Sequence, residues 1–200
     1  TVEAVFQTSE YAFDSLILAK MVMEDAEIAG VEFMWNTEVM EVSEEGDGRV
    51  IVTLKDGKMT VPRLFNCTYG RIHTLHPRSL NHRIKYEACE ISLVRPPKAL
   101  DNVGITIMDG PFWSCMRYPS RGPGINSLTH VKYTPRISWI AQEHPERDPY
   151  SILPLLSEED TFGAMIHDAQ RFVPCMADAA KLDSIKEIKA ILMANEGDDG

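Results

Sequence analysis

Basic charge is the first shortage in this sequence: 20 lysines and arginines stand against 30 aspartates and glutamates in 200 residues. The resulting net charge of −10 excludes nucleic acid and anionic membrane as electrostatic partners, because both demand a basic surface. Cysteine is scarce as well. The four present, Cys67, Cys89, Cys115 and Cys175, form no CxxC pair, which removes the usual zinc and redox motifs. Each stands among apolar neighbours, where a free thiol acts as a small hydrophobe, a usage that fits a reducing, cytoplasmic setting. No apolar run approaches the ~20 residues of a membrane span, and the opening residues lack the pattern of a signal peptide. Internal repeats and low-complexity tracts are also missing.

What remains is an ordinary globular composition, 44% hydrophobic and 25% charged. Ser9 or Asp14 can cap a first helix carrying Ala12, Leu16, Ala19, Met23 and Ala26 at helical spacing, with Gly30 as its stop. Val31, Phe33 and Trp35 then alternate with polar or flexible residues, the period of a strand. A second strand runs from Val39 to Val42, and Val50–Leu54 turns at Asp56-Gly57 into Met59–Val61. The apolar run Leu64-Phe65-Asn66-Cys67 predicts a short buried strand ending at Thr68-Tyr69-Gly70. An irregular crossing over 71–83 leads to strands at Tyr86–Val94, Val103–Met108, Phe112–Tyr118 and Asn126–Tyr133, which together suggest an antiparallel sheet. A proline-rich loop fills 140–156. Ser157 to Asp160 opens a helix whose apolar stripe is Phe162, Met165, Ile166, Ala169 and Phe172, disturbed at its end by Pro174. Periodicity leaves Ile185–Met193 open between strand and helix.

Asn66-Cys67-Thr68-Tyr69-Gly70-Arg71 is the most informative stretch. A buried strand ending in a glycine turn is what a backbone needs to approach a bulky ligand closely; the plainer reading is an ordinary strand-to-loop turn. The order of elements gives it context. Helix, Gly30, strand, Val39 strand, meander and Phe65-Asn66-Cys67-Thr68-Tyr69-Gly70 resemble the D-amino-acid oxidase superfamily of FAD-dependent oxidoreductases. There a helix and a G-V-x-F strand precede a meander, which is followed by a strand ending in an A-x-G-type turn beside FAD. Thr8 to Asp14 fits the start of that helix, and Tyr86–Val94 with the 108–119 stretch looks like the substrate-domain sheet. Asn195 to Gly200 is similar to the approach to a last FAD-contacting segment.

The resemblance implies an α+β chain: an antiparallel substrate-domain sheet with flanking helices, plus a helix and β-meander from an incomplete FAD-binding domain. Residues 1–74 would be the partial FAD domain, 75–183 the substrate domain, and 184–200 a return toward the FAD domain. Val39 would meet the adenine side of FAD, and Cys67, Thr68, Tyr69 and Gly70 would lie beside the cofactor. Several departures stand out. Cys-Thr-Tyr-Gly replaces the commoner Ala-Ala-Gly, and Met193 or Ala194 falls where amine-oxidising members carry a carboxylate-pairing arginine. The G-x-G-x-x-G fingerprint, which seats a pyrophosphate at a helix N-terminus, is missing: Gly46-Asp47-Gly48 and Gly122-Pro123-Gly124 lack the third glycine and the strand-to-helix setting. The fingerprint is expected upstream of Thr1, so the chain is expected to need N- and C-terminal segments of the same protein, to bind FAD weakly alone, to be inactive in isolation and to self-associate through uncovered apolar surface.

Other constellations point less far. His73 and His76 lack further ligands at metal spacing, so no metal is expected, and a metal-dependent hydrolase is the weakest alternative. His130 and Tyr133, three apart on a strand, are expected on opposite faces, one of them lining a small-molecule substrate pocket with Met116 and Tyr118. Arg71, Arg78, Arg83, Arg95, Arg117, Arg121 and Arg136 are scattered, one of them available for an anionic substrate. A stand-alone binding or interaction module on an oxidase-like sheet is the alternative from another class, since fold does not fix function.

Overall fold

The computed structural model describes residues 2–46, 48–75, 82–108, 110, 112–157 and 159–195. Asp14 closes an extended opening segment. Its carboxylate accepts from Leu16 N at 2.9 Å and Ile17 N at 3.3 Å, capping α1 (Ser15–Ile28). Gly30 ends the helix at φ 80°, a left-handed conformation that costs glycine no Cβ clash. Both ends agree with the sequence reading, but the stripe between them is left largely to solvent: α1 has no buried residue, and Leu16 is 67% exposed.

Two expected strands do not form. Residues 31–34 are irregular and a turn follows; Phe33 and Trp35 stack on each other instead, with ring centroids 5.1 Å apart. Leu64 to Cys67 is also irregular, and Phe65 is 76% exposed. The physical reason is the same for both. An apolar strand is held by ladder partners and a covered face, and among the described residues neither segment has a ladder partner. Cys67 is accordingly exposed, against the expectation of an apolar setting, whereas Cys89 and Cys115 are buried.

The meander forms as expected. β1 (Val39–Glu44), β2 (Val50–Leu54) and β3 (Gly57–Val61) make an antiparallel sheet in the order β1-β2-β3. Leu54 pairs with Gly57, so the two-residue turn is Lys55-Asp56, one position earlier than Asp56-Gly57.

A six-stranded sheet follows: β4 (Ile84–Arg95), β5 (Ile105–Ile107), β6 (Trp113–Arg117), β7 (Asn126–His130), β8 (Pro135–Ile140) and β9 (Ala180–Leu192). Its order is β5-β6-β7-β4-β8, with β9 also pairing β4. β9 resolves the open segment as strand from 185 to Leu192, with Met193 starting a 3-10 turn, and two 3-10 turns, Ala141–Glu143 and Pro149–Leu155, occupy much of the expected loop. β7 alternates buried and half-buried residues, placing Asn126, Leu128 and His130 on one face. α2 (Phe162–Ala169) begins after Asp160, whose carboxylate accepts from Phe162 N at 3.0 Å and pairs with Lys181 at 2.7 Å. Met165 and Ala169, four apart and so on one helix face, are fully buried.

Two compact units divide the chain. Unit 1 comprises 1–31, 89–136 and 157–186, and unit 2 comprises 32–88, 137–156 and 187–200. The core of unit 1 gathers Val94, Leu100, Trp113, Cys115, Leu128, Met165, Ala169 and Met176. Unit 2 packs Ile84, Tyr86, Ala88, Trp139, Ala141, Leu156 and Ile188. No helix among the described residues is long and apolar enough to cross a membrane.

Candidate functional site

The turn singled out in the sequence, with Arg71 and His73 just beyond it, is the most densely connected polar region of unit 2. Asn66 shapes its start: the side-chain amide donates to Ile72 O at 3.0 Å, while Oδ1 accepts from Thr68 N at 3.2 Å and Thr68 Oγ1 at 2.6 Å. Tyr69 sits at φ 47°, the left-handed region where a bulky side chain is strained. Its ring is 54% exposed, and its hydroxyl lies 3.5 Å from Ala190 N.

Gly70 is buried, and the reason is a ring from the same chain. A Cβ at this position would stand 2.9 Å from Tyr150 Cε2 and from its hydroxyl, closer than carbon atoms tolerate. The close approach at Gly70 is made to Tyr150, whereas the expectation was of a bulky ligand. Arg71 secures this contact. It donates from Nε to Asp148 Oδ1 at 3.0 Å and from Nη2 to Oδ2 at 2.7 Å, a two-pronged fit of guanidinium to carboxylate. Its charged carbon lies 5.3 Å from the centre of the Tyr150 ring. Asp148 Oδ1 also accepts from Tyr150 N at 3.2 Å, capping the Pro149–Leu155 turn. The Arg71 hydrogen bond holds the Asp148 carboxyl below its ordinary range, and the same bond raises Arg71.

Deeper in, His73 and Tyr86 share a hydrogen bond of 2.7 Å through His73 Nδ1, and Tyr86 leans on Trp139 at 5.5 Å. Burial lowers the His73 pKa and pushes the Tyr86 phenol up to about 12, so both are neutral near pH 7. His73 is thus a core group. His76 lies outside the described residues, and among those described no group of three metal-ligating side chains occurs.

The turn consequently has two halves. Gly70 and His73 are buried, and the half-exposed Arg71 is held by Asp148; Phe65, Cys67 and Tyr69 are exposed. Asp148 and Tyr150 were not identified from sequence. The signal was present, since Asp148-Pro149 is the cap-then-proline start of a helical turn, but its partner Arg71 is 77 residues away.

The remaining predicted residues lie elsewhere. Val39 opens β1 opposite Leu54 and is half-buried. Met116 is half-buried on β6, its sulfur accepting from Thr106 Oγ1 at 3.8 Å, and Tyr118 is half-buried just beyond that strand. His130 is buried on the face shared with Trp113 and Leu128. Tyr133 is in a turn rather than a strand and its ring lies 4.7 Å from that of His130, tilted by 47°; the expectation of opposite faces is corrected, because strand alternation ends at His130.

No protein-family profile matches the chain, and no curated protein matches it in sequence. Solved structures do. Glycine oxidase from Geobacillus kaustophilus matches over 88% of this chain and 42% of its own, at 15% identity and a TM-score of 0.58. The halogenase PltM matches over 89% and 36% at 11% identity and 0.46, and CmlS, a flavin-dependent halogenase, over 88% and 30% at 13% identity and 0.43. The chain therefore spans less than half the length of each of these three structures. It is an α+β protein whose fold is similar to that of glycine oxidase.

Proposed function

We propose that this chain is part of a FAD-dependent oxidoreductase that oxidises an amine or a related small molecule. The observation that carries the reading is the two-sided turn: buried Gly70 and His73, with Arg71 tied to Asp148 beside them, back an exposed edge at Cys67, Thr68 and Tyr69, within a fold similar to that of glycine oxidase. A flavin, when bound, supplies the hydride acceptor; the protein supplies binding and orientation. Cys67, Thr68 and Tyr69 fit a cofactor-side edge. Gly70 does not, because Tyr150 already fills its space; its role is to seat that ring. Val39 is assigned to the adenine side, and Met116 and Tyr118 to the substrate side, with Tyr133 at its margin. His130 is removed from the pocket by its burial against α2.

On this reading the functional division into 1–74, 75–183 and 184–200 cuts across the compact units. Exposed Phe6, Tyr11, Leu16 and Phe65 are covered by further segments of the same protein, and without them the chain self-associates, a state that sedimentation at high concentration detects. The functional test is FAD titration, followed by flavin fluorescence, of this chain and of one extended at both ends. Binding by the extended chain alone is expected. Binding by neither transfers the assignment to an interaction module.

A further inference from the structure

Two buried nitrogens without partners stand side by side on the helix-covered face of unit 1. Trp113 and His130 are directly opposed on β6 and β7, so their side chains share a face. They are 1% and 2% exposed, and among the described residues neither Trp113 Nε1 nor His130 Nε2 has a hydrogen-bond partner. α2 brings a carboxylate close: Asp168 Oδ2 lies 3.6 Å from His130 Nε2, just beyond hydrogen-bond reach. The other ring nitrogen is engaged, since Lys132 N donates to Nδ1 at 3.1 Å. A nitrogen that accepts this bond carries no proton, so neutral His130 holds its hydrogen on Nε2, on the side of Asp168. His130 N also donates to Thr134 Oγ1 at 2.8 Å, and Thr134 N donates to His130 O at 2.9 Å. Tyr133 N also donates to His130 O at 3.2 Å, so the 131–134 turn is tied to one residue by four hydrogen bonds.

We propose that His130 is an acid-operated relay, which on protonation gives up its bond to the Lys132 amide and takes hold of α2. This inference is independent of the flavin reading. The incoming solvent proton goes to Nδ1, the remaining basic lone pair, and the new N–H then opposes the Lys132 N–H, so that bond is lost. The imidazolium simultaneously faces Asp168, and a charge-assisted hydrogen bond replaces the 3.6 Å gap. The groups around the ring set the balance. Burial disfavours the charge most, Asp168 favours it, and Lys132 disfavours it. Arg171, 3.9 Å from Asp168, competes for the carboxylate. Tyr133, tilted against the ring, holds the Lys132 ammonium 5.1 Å from its own centre. The exchange therefore falls on the acid side of an ordinary histidine.

Nitrogen-15 NMR of the ring and hydrogen exchange of the backbone, from about pH 8 to about pH 5, test the relay on the 200-residue chain. The expected result is an Nε2–H ring at the alkaline end. Exchange of the Lys132 amide, corrected for its intrinsic pH dependence, should then accelerate about tenfold across the ring's own titration. Asp168→Asn is expected to move that titration to lower pH, and the wild-type measurement decides the matter if this variant does not fold. An Nδ1–H ring at alkaline pH, a Lys132 amide indifferent to the titration, or unfolding before the ring titrates would each overturn the proposal.

Discussion

The two α-helices differ in a way their sequences do not announce. α1 has 14 residues, a side-chain cap and a glycine stop, yet buries no residue. α2 has 8 residues and no side-chain cap bond at Thr161, yet buries Met165 and Ala169 completely. Good ends shape a helix; a facing surface anchors it, since most helical stability in proteins comes from packing. α2 faces Trp113, Cys115 and Leu128, while the apolar residues of α1 face solvent. The same contrast recurs inside the 64–73 segment, where Gly70 and His73 have found neighbours and Phe65 has not.

This contrast can be tested from its strongest point to its weakest. Met165→Ala should cost about 2–5 kcal/mol by leaving a cavity under α2, measured by urea unfolding; a cost near zero would place α2 with α1. Gly70→Ala should cost about 1–3 kcal/mol through overpacking, and Gly70→Ala combined with Tyr150→Leu should recover most of it, because the offending ring is gone. Asp148 supplies a smaller, pH-dependent term. Its folded carboxyl is held below the ordinary value by Arg71, so its contribution is complete above the unfolded-state value and is lost as pH falls through the folded one. Both side chains are about half exposed, which limits the effect to below about 1 kcal/mol; Asp148→Asn should flatten that acid-side loss in stability measured against pH. Leu16→Glu on α1 should change the stability of this chain by less than about 0.5 kcal/mol, while weakening FAD binding by the extended chain if α1 is covered there.

The sequence was legible where local rules decide. Asp14 and Gly30 bound α1, the meander follows from alternation and a turn dipeptide, and the spacing of Met165 and Ala169 gives α2 its buried face. It misled where an apolar run has no ladder partner, at Val31 to Trp35 and at Leu64 to Cys67. At the site, the glycine turn was visible, though Gly70 was read as approaching a bulky ligand and the ring against it belongs to Tyr150. Its neighbour was not, because Tyr150 and Asp148 arrive through the fold from more than 70 residues downstream, a distance that periodicity does not bridge. His130 fell for a related reason: a histidine at a strand end reads the same whether it faces a cavity or a helix.

The interleaving of the two units has a consequence for synthesis. Each is assembled from three separate stretches, the last beginning at residue 157 for unit 1 and residue 187 for unit 2. Neither can be completed while the ribosome is still making the middle of the chain, so the domain-by-domain order open to sequential domains is closed here. β4 must wait for β9, whose first residue comes 85 positions after the last of β4 (180 − 95), and such distant pairings form slowly. During that interval the nascent chain carries an unpaired strand edge, and holdase chaperones that shield such edges should raise its soluble yield more than agents that act on the finished protein.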